Sequence, residues 1–413
     1  MIGSKFAVGN SKIAEVNMPH SSSVSIRSRR AVPFWRNVRV IRVLSQIAFA
    51  ILVAAVAGVL YSNMQHGLES RGLWGGFGFL RLEAGFDIGE GITYAPSDSY
   101  ARAFLVGVVN TLRVTTVGIV LATILGVVAG VARLSSNWLV NKMASVYIES
   151  IRNTPLLVQL FVWYFAIIMK LPRVKESIVL PGSAFISNRG AALPWPVPTA
   201  SFGSWLYFLI AATAVAVVLW IVRARGQRRT GRPAFSLLWV GIAFVAFAVL
   251  GWFLVPGEPL VLDVPSLQGL NYQGGLTLTP EFTTLLVGLV VYTGAFIGEV
   301  VRAGILAVPR GQIEAARAVG LNEMQTLRLV TFPQALRIII PPLTSQYLNL
   351  AKNSSLAVAI GFPDLFSVAG TIFNVTGRSV QVVVMIMASY LSMSLFTSLL
   401  MNMYNRRVQL VER

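Results

Sequence analysis

Runs of 18 or more predominantly apolar residues recur along this chain, each long enough to cross the ~30 Å hydrocarbon core of a bilayer as a helix. Such runs leave the backbone few choices, because lipid cannot satisfy unpaired N–H and C=O groups. Eight segments qualify: 43–61, 104–132, 146–169, 202–222, 235–255, 283–301, 336–361 and 380–402. With 55% of the 413 residues hydrophobic and 12% charged, a soluble fold could not hide the apolar surface. The expected fold is an all-α polytopic membrane protein with about eight transmembrane helices, its outer surface covered by lipid.

The formal charge of +18 raises the question of nucleic acid. The basic residues instead flank apolar runs, as orientation signals do, so no nucleic-acid partner is expected. Residues 1–42 carry Lys5, Lys12, Arg27, Arg29, Arg30, Arg36, Arg39 and Arg42 against Glu15 alone, around a Ser-rich middle expected to be disordered. Arg223, Arg225, Arg228, Arg229 and Arg232 follow the fourth span, Arg302, Arg310, Arg317, Arg328 and Arg337 follow the sixth, and Arg406, Arg407 and Arg413 end the chain. These place both termini in the cytoplasm. Residues 256–282, on the opposite side, contain no Lys or Arg. One segment disagrees: 170–200 carries Lys170, Arg173, Lys175 and Arg189, yet alternation makes it external.

The spans differ in character. Those at 202–222 and 235–255 are nearly all Val, Ala, Leu and Phe, as suits helices facing lipid. The spans at 104–132, 146–169, 283–301 and 336–361 carry Gly, Thr, Asn and Ser, as suits helices packed on one another or lining a path. The expected organisation is a basic tail (1–42), a first helix with its external segment (43–100), a transmembrane domain (101–402) with a peripheral helix pair inserted at about 200–256, and a cytoplasmic tail (403–413).

Several chemistries are excluded. There is no Cys, so no disulfide and no thiolate chemistry, and His20 and His66 both lie outside the spans, so no metal site is expected. A P-loop needs a Lys after a Gly-rich turn. None of the six lysines (5, 12, 142, 170, 175, 352) follows a Gly, so this chain does not hydrolyse ATP, and no catalytic residue is assigned.

Between the sixth and seventh spans lies a small-residue segment. Pro309 and Gly311 are expected to break the preceding helix, and Gln312 to Val319 to form a short one. Gly320 can end that helix at positive φ. Asn322 with Gln325 can cap a second helix in a capping box, and Pro333 marks the return to the membrane. The product is a helix–Gly–helix elbow with Glu314 and an alanine patch. Two readings stand: a tight turn, or a docking surface for a soluble protein.

Glu314-Ala315-Ala316, then Gly320, then Val330-Thr331-Phe332-Pro333 resemble the EAA loop of ATP-binding-cassette (ABC) importer permeases, with Val330 and Phe332 in place of the pattern's Ile and Leu. Asn110-Thr111-Leu112, the run Tyr147 to Gln159, and Lys352-Asn353-Ser354-Ser355-Leu356 narrow the resemblance to the polar amino acid permeases, over roughly residues 100–402. The first helix, Gly85-Phe86-Asp87-Ile88-Gly89 and Ser187-Asn188-Arg189-Gly190 resemble the long permease of general L-amino acid importers. The resemblance implies a five-helix type I importer core in the bacterial inner membrane. It implies an elbow seated in a cytoplasmic ATPase that holds the ATP and magnesium, with Gly311, Glu314, Ala315, Ala316, Gly320 and Pro333 as its coupling residues. It further implies a periplasmic amino-acid-binding protein, an L-amino acid substrate and a second permease subunit, distinct rather than identical.

Charges inside spans are functional candidates by default. Lys352, Asn353, Ser354, Ser355 and Arg113 are therefore candidates for the substrate path. The alternative is that Lys352 makes a structural contact or snorkels to the interface. Glu149 with Arg152, and Glu299 with Arg302, read as helix-end ion pairs at i, i+3. Tyr164, Trp163 and Tyr292 read as packing aromatics. The competing function is a stand-alone secondary transporter or channel, disfavoured by the elbow motif and by the scarcity of acids within the spans.

Overall fold

A computed structural model describes residues 38–70, 76–230, 236–269 and 271–408. Residues 1–37 of the tail expected at 1–42, Arg232 and the last five residues lie outside these ranges. The chain divides into two compact units, Met1–Trp74 and Gly75–Arg413. The first contains helix α1 (Val38–Glu69), whose apolar span shows no buried residue. Residues 75–100, grouped by sequence with that helix, belong instead to the second unit.

At the centre of the second unit are α2 (Tyr100–Ala132) and α7 (Pro280–Leu306). They bury 39% and 56% of their apolar windows, against 11% for α5 (Phe202–Thr230) and 6% for α12 (Ser379–Val408). The low burial of α5 agrees with its Val-, Ala-, Leu- and Phe-rich composition, whereas the equally low burial of α12 is not marked by its composition. The closeness of α2 to α7 comes from small residues on both. A Cβ on Gly130 would stand 2.5 Å from the Gly298 carbonyl oxygen, and one on Gly126 would stand 2.5 Å from Ile297 Cγ2. In a bilayer, where lipid tails are as apolar as leucine, such close approach is what drives helix association.

Two spans are broken. Helix α3 (Trp138–Arg152) and α4 (Leu156–Phe161), the latter continuing in π and 3₁₀ turns to Lys170, meet at 107°. The expected single helix over 146–169 fails at Pro155, which lacks an N–H and biases Thr154 away from helix. Gln159, buried, repairs the break: its side-chain amide donates to the carbonyls of Ile151 and Thr154, both at 2.9 Å. Pro155 offers Ile151 O no N–H at the bend, and the Thr154 N–H reaches it only at 3.3 Å.

The second broken span joins α10 (Phe332–Asn353), a 3₁₀ turn over Ser354–Ile360 and α11 (Leu365–Thr376), bent by 55°. Helix α11 lies beyond the expected end at 361. Gly361 ends the turn at φ +80°, and Asp364 caps α11 by accepting from Ser367 N at 2.8 Å. The Asn110-Thr111 pair of α2 holds this joint: Asn110 Nδ2 donates to Pro363 O at 2.9 Å and Thr111 Oγ1 accepts from Leu365 N at 2.9 Å. Among the described residues, counting each bent pair once gives up to seven spans, and α6 (Ser236–Leu254) adds a shorter apolar helix, which agrees with about eight.

At the starting end of α7, the connections are β-structure rather than plain loops. Strands β1 (Ile178–Leu180), β2 (Ala184–Ser187), β3 (Gly190–Leu193) and β8 (Leu276–Leu278) form one antiparallel sheet in that order. Strands β4 (Trp195–Pro198) and β5 (Leu260–Asp263) form a ribbon, as do β6 (Ser266–Gln268) and β7 (Asn271–Gln273). The basic 170–200 segment is thus zipped to the 260–278 segment, which places the two on one side despite their charges. The β4–β5 ribbon sits where α5 begins and α6 ends, and those two helices pack on each other, Trp205 Nε1 donating to Ala248 O at 2.9 Å.

Candidate functional site

The elbow lies beyond the far end of α7, the strands before its near end, ~40 Å apart at 1.5 Å per residue over 27 residues. After α7, Pro309 precedes α8 (Arg310–Ala318). Gly311 does not break a helix, as expected from sequence, but sits in the first turn of α8. Gly320, at φ +87°, closes α8: its N–H bonds to Arg317 O at 3.0 Å and Leu321 N–H to Ala316 O at 3.1 Å. These are the two bonds of a Schellman cap, which uses the left-handed residue to satisfy the last carbonyls. Asn322 and Gln325 then exchange both bonds of a capping box at 2.9 Å and start α9 (Glu323–Thr326). A π-turn over Leu327–Thr331 leads into α10, with Pro333 in its first turn, where no N–H is needed.

The alanine patch divides. Glu314 and Ala315 are exposed, but Ala316 is buried and turned onto the chain's own packing. Its expected place on a partner-facing surface is therefore corrected. Nine residues make only about two and a half turns, so neighbours along α8 point to different sides. Also exposed in the elbow are residues the sequence reading passed over: Val319 (77% exposed), Met324 (70%) and Leu329 (62%). The signal was a set of large apolar residues within a polar turn.

An ion cluster braces the same side. Arg133, following α2, places Nη1 2.5 Å from Glu299 Oε2 on α7 and Nη2 2.6 Å from Glu149 Oε1 on α3. Arg302 adds a contact to Glu299 at 2.6 Å, and Arg152 stands at 3.9 Å while stacking on Phe296. Glu299 and Arg302 are paired as expected. Glu149 is not paired with Arg152, because Arg133 from another helix takes it. Tyr292 packs on Phe296, with ring centroids 4.9 Å apart.

The intramembrane candidates do not form one group. Lys352 is exposed at the end of α10, and Asn353 half-buried beside it. Ser354 and Ser355 spend their hydroxyls on the carbonyls of Ala351 and Lys352, at 2.9 and 2.8 Å, where α10 tightens into its 3₁₀ turn. Arg113 is elsewhere, its guanidinium 5.5 Å from the centre of the Phe282 ring. Among the described residues no bond joins it to 352–355. It faces a polar cluster that composition could not reveal. The segment before α2 turns inward, and Asn110 Nδ2 donates to Glu90 O at 3.0 Å. The Glu90 carboxylate accepts from Thr279, the N-cap of α7, and Glu281 accepts from Tyr164 at 2.7 Å. Burial pushes the Glu90 carboxyl above its ordinary value, opposed by the Thr279 bond and the Arg113 charge.

Comparison with known proteins agrees with this architecture. Residues 233–410 match the family model described as "Binding-protein-dependent transport system inner membrane component". The chain is 46% identical to the putative amino-acid ABC transporter permease protein YhdX of Escherichia coli, over 90% of this chain and 94% of that protein. It is 44% identical to the general L-amino acid transport system permease protein AapQ of Rhizobium johnstonii, over 95% and 97%. It is 38% identical to the glutamate/glutamine/aspartate/asparagine transport system permease protein BztB of Rhodobacter capsulatus, over 89% and 94%. Identity at this level along nearly the whole length disfavours a stand-alone transporter, and the chain belongs to the family of amino-acid ABC transporter permeases, multi-pass components of the inner membrane.

Proposed function

We propose that the chain supplies the path for L-amino acids in an ATP-driven importer and takes its drive from a separate cytoplasmic ATPase seated on the elbow. The elbow carries the reading: a capped helix–Gly–helix with Glu314, Ala315 and exposed Val319, Met324 and Leu329 leaves apolar surface that water alone would not favour. Glu314 is the polar anchor, Ala315 permits close approach, and Gly311, Gly320 and Pro333 shape the turn. Ala316 holds α8 onto the permease, so a push on α8 reaches the core through it. ATP and magnesium belong to the ATPase, in line with the lack of a P-loop Lys in this chain.

In this reading both termini and the elbow are cytoplasmic and the β-strands periplasmic, where a binding protein delivers its amino acid. The tails are 1–42 and 403–413, and the transmembrane domain is 101–402 with the pair at about 200–256 inserted. The relatives' names support amino acids as the cargo class. A distinct second permease completes the pore in preference to an identical copy. Lys352, Asn353, Ser354, Ser355 and Arg113 remain path candidates, and the charge of Arg113 near Glu90 supports its inclusion.

The test is co-purification in detergent from native membranes. An ATPase should accompany the wild-type chain and be lost from a Glu314→Lys, Gly320→Asp double variant that still folds. Recovery of a folded wild-type chain without any ATPase would overturn the reading.

A further inference from the structure

Two segments singled out in the sequence, Gly85 to Gly89 and Ser187 to Gly190, fold to one place. They meet at two adjoining cavities beside the start of α7, of about 370 and about 470 Å³, which share Gly89, Thr279 and Glu281 in their walls. Both volumes lie in the ~300–1,000 Å³ range of small-molecule sites. The larger is lined by Arg189 as well as Glu281; the smaller adds Glu90.

Opposite charges therefore stand in the wall of one cavity without neutralising each other. Among the described residues Arg189 makes no ion pair. Glu281 is engaged through one oxygen by Tyr164. Glu90 Oε1, closed off from solvent, has no hydrogen-bond partner, while the other oxygen takes the Thr279 hydroxyl. A buried carboxylate oxygen left without a donor is costly, and an ammonium group brings three donors. A guanidinium matches a carboxylate with two parallel bonds. A lone metal or organic cation would suit the acids and be repelled by Arg189. A molecule carrying both charges suits all of them.

We propose that the joined cavities are an entry site for the zwitterionic head of a free α-amino acid, with its carboxylate on Arg189 and its ammonium on Glu281. Glu90 offers the ammonium a second seat beside Asn110 of α2, toward the core. The site reads only the head group, so it accepts different side chains, which the larger cavity has room to hold. This deepens the amino-acid reading and rests on it.

Saturation-transfer NMR on the full chain in lipid nanodiscs tests the site. The probes are L-alanine, L-glutamine, 4-aminobutanamide (glutamine without its carboxylate) and 4-carbamoylbutanoate (glutamine without its amine). Both amino acids should receive signal, and each truncated probe at least threefold less. Arg189→Glu should cut the amino-acid signal at least threefold, and Arg189→Lys should retain part of it. Arg189 is exposed in a strand turn, so these variants do not threaten the core. Glu281→Gln keeps an acceptor for Tyr164 and should weaken both amino acids while sparing 4-carbamoylbutanoate. Equal signal from wild type and Arg189→Glu, or equal signal from the amino acids and the truncated probes, overturns the proposal. Uptake of labelled L-amino acids by cells carrying the complete transporter is measured separately. Uptake with no Arg189 dependence in the NMR sinks the site and leaves the transport reading standing. Arg189-dependent binding without any uptake sinks the transport reading and not the site.

Discussion

Arg133 reaches across from the end of α2 to Glu299 on α7, Nη1 to Oε2 at 2.5 Å, and so ties together the two most deeply packed helices near the elbow. Its second nitrogen holds Glu149 on α3, making one guanidinium the joint of three helices.

Removal of Glu299 should therefore cost more than removal of Glu149. Glu299→Ala leaves Arg133 and Arg302 facing each other in a partly enclosed site, where a charged hydrogen bond is worth ~1.5–3 kcal/mol. The Glu149 side chain is 62% exposed, so its pair is worth at most ~1 kcal/mol. Thermal unfolding in detergent should rank wild type, Glu149→Ala, then Glu299→Ala, in falling order.

The Gly320 position should tolerate Asn better than Ala. No atom lies within 4 Å of an added Cβ, so the cost is the positive φ alone. That is about 1–2 kcal/mol for Ala, and less for Asn, which visits this region more readily. Hydrogen exchange over 310–326 should quicken in Gly320→Ala and change little in Gly320→Asn.

At Gly130 the cost is steric. An added methyl meets the Gly298 carbonyl at 2.5 Å and Val301 Cβ at 2.9 Å, and backbone cannot step aside. At Gly118 the same methyl would meet nothing nearer than Leu350 Cδ2 at 3.4 Å. Gly130→Ala should lower the melting temperature by several degrees, in keeping with the ~1–3 kcal/mol cost of overpacking. Gly118→Ala should be close to neutral.

Glu90 gives a pH dependence of definite sign. Its carboxyl is held above the ordinary value of 4.5 chiefly by burial, so the folded chain binds its proton more tightly than the unfolded chain does. Stability from this group then falls as pH rises from the ordinary value through the folded one. Glu90→Gln removes that loss and keeps an acceptor for Thr279. The variant should be more stable than wild type at neutral pH, and the gap should narrow as pH falls towards 4.5, read as melting temperature against pH.

Membrane class, family and the caps of the elbow were legible in the chain, because each depends on local pattern. Apolar length decides what can cross lipid, Asn322 and Gln325 cap a helix wherever they stand, and Gly320 takes a positive φ at little cost. The two broken spans were not legible. Hydropathy windows of span length smooth over the polar run before Pro155 and end at Gly361, so neither bend shows; Gln159 bonds to carbonyls at the first, while Asn110 and Thr111, some 250 residues earlier, hold the second joint. The entry cavities were legible only as two odd segments, 85–89 and 187–190, with nothing to say that they meet. Pairing of β3 with β8 brings Arg189 to the start of α7, and the inward turn of the 76–99 segment brings Glu90 there. A local code can set a helix, a cap or a turn. Only chain closure over long distances puts an arginine and two glutamates around two adjoining cavities, because each of those contacts is made between residues that no sequence window contains together.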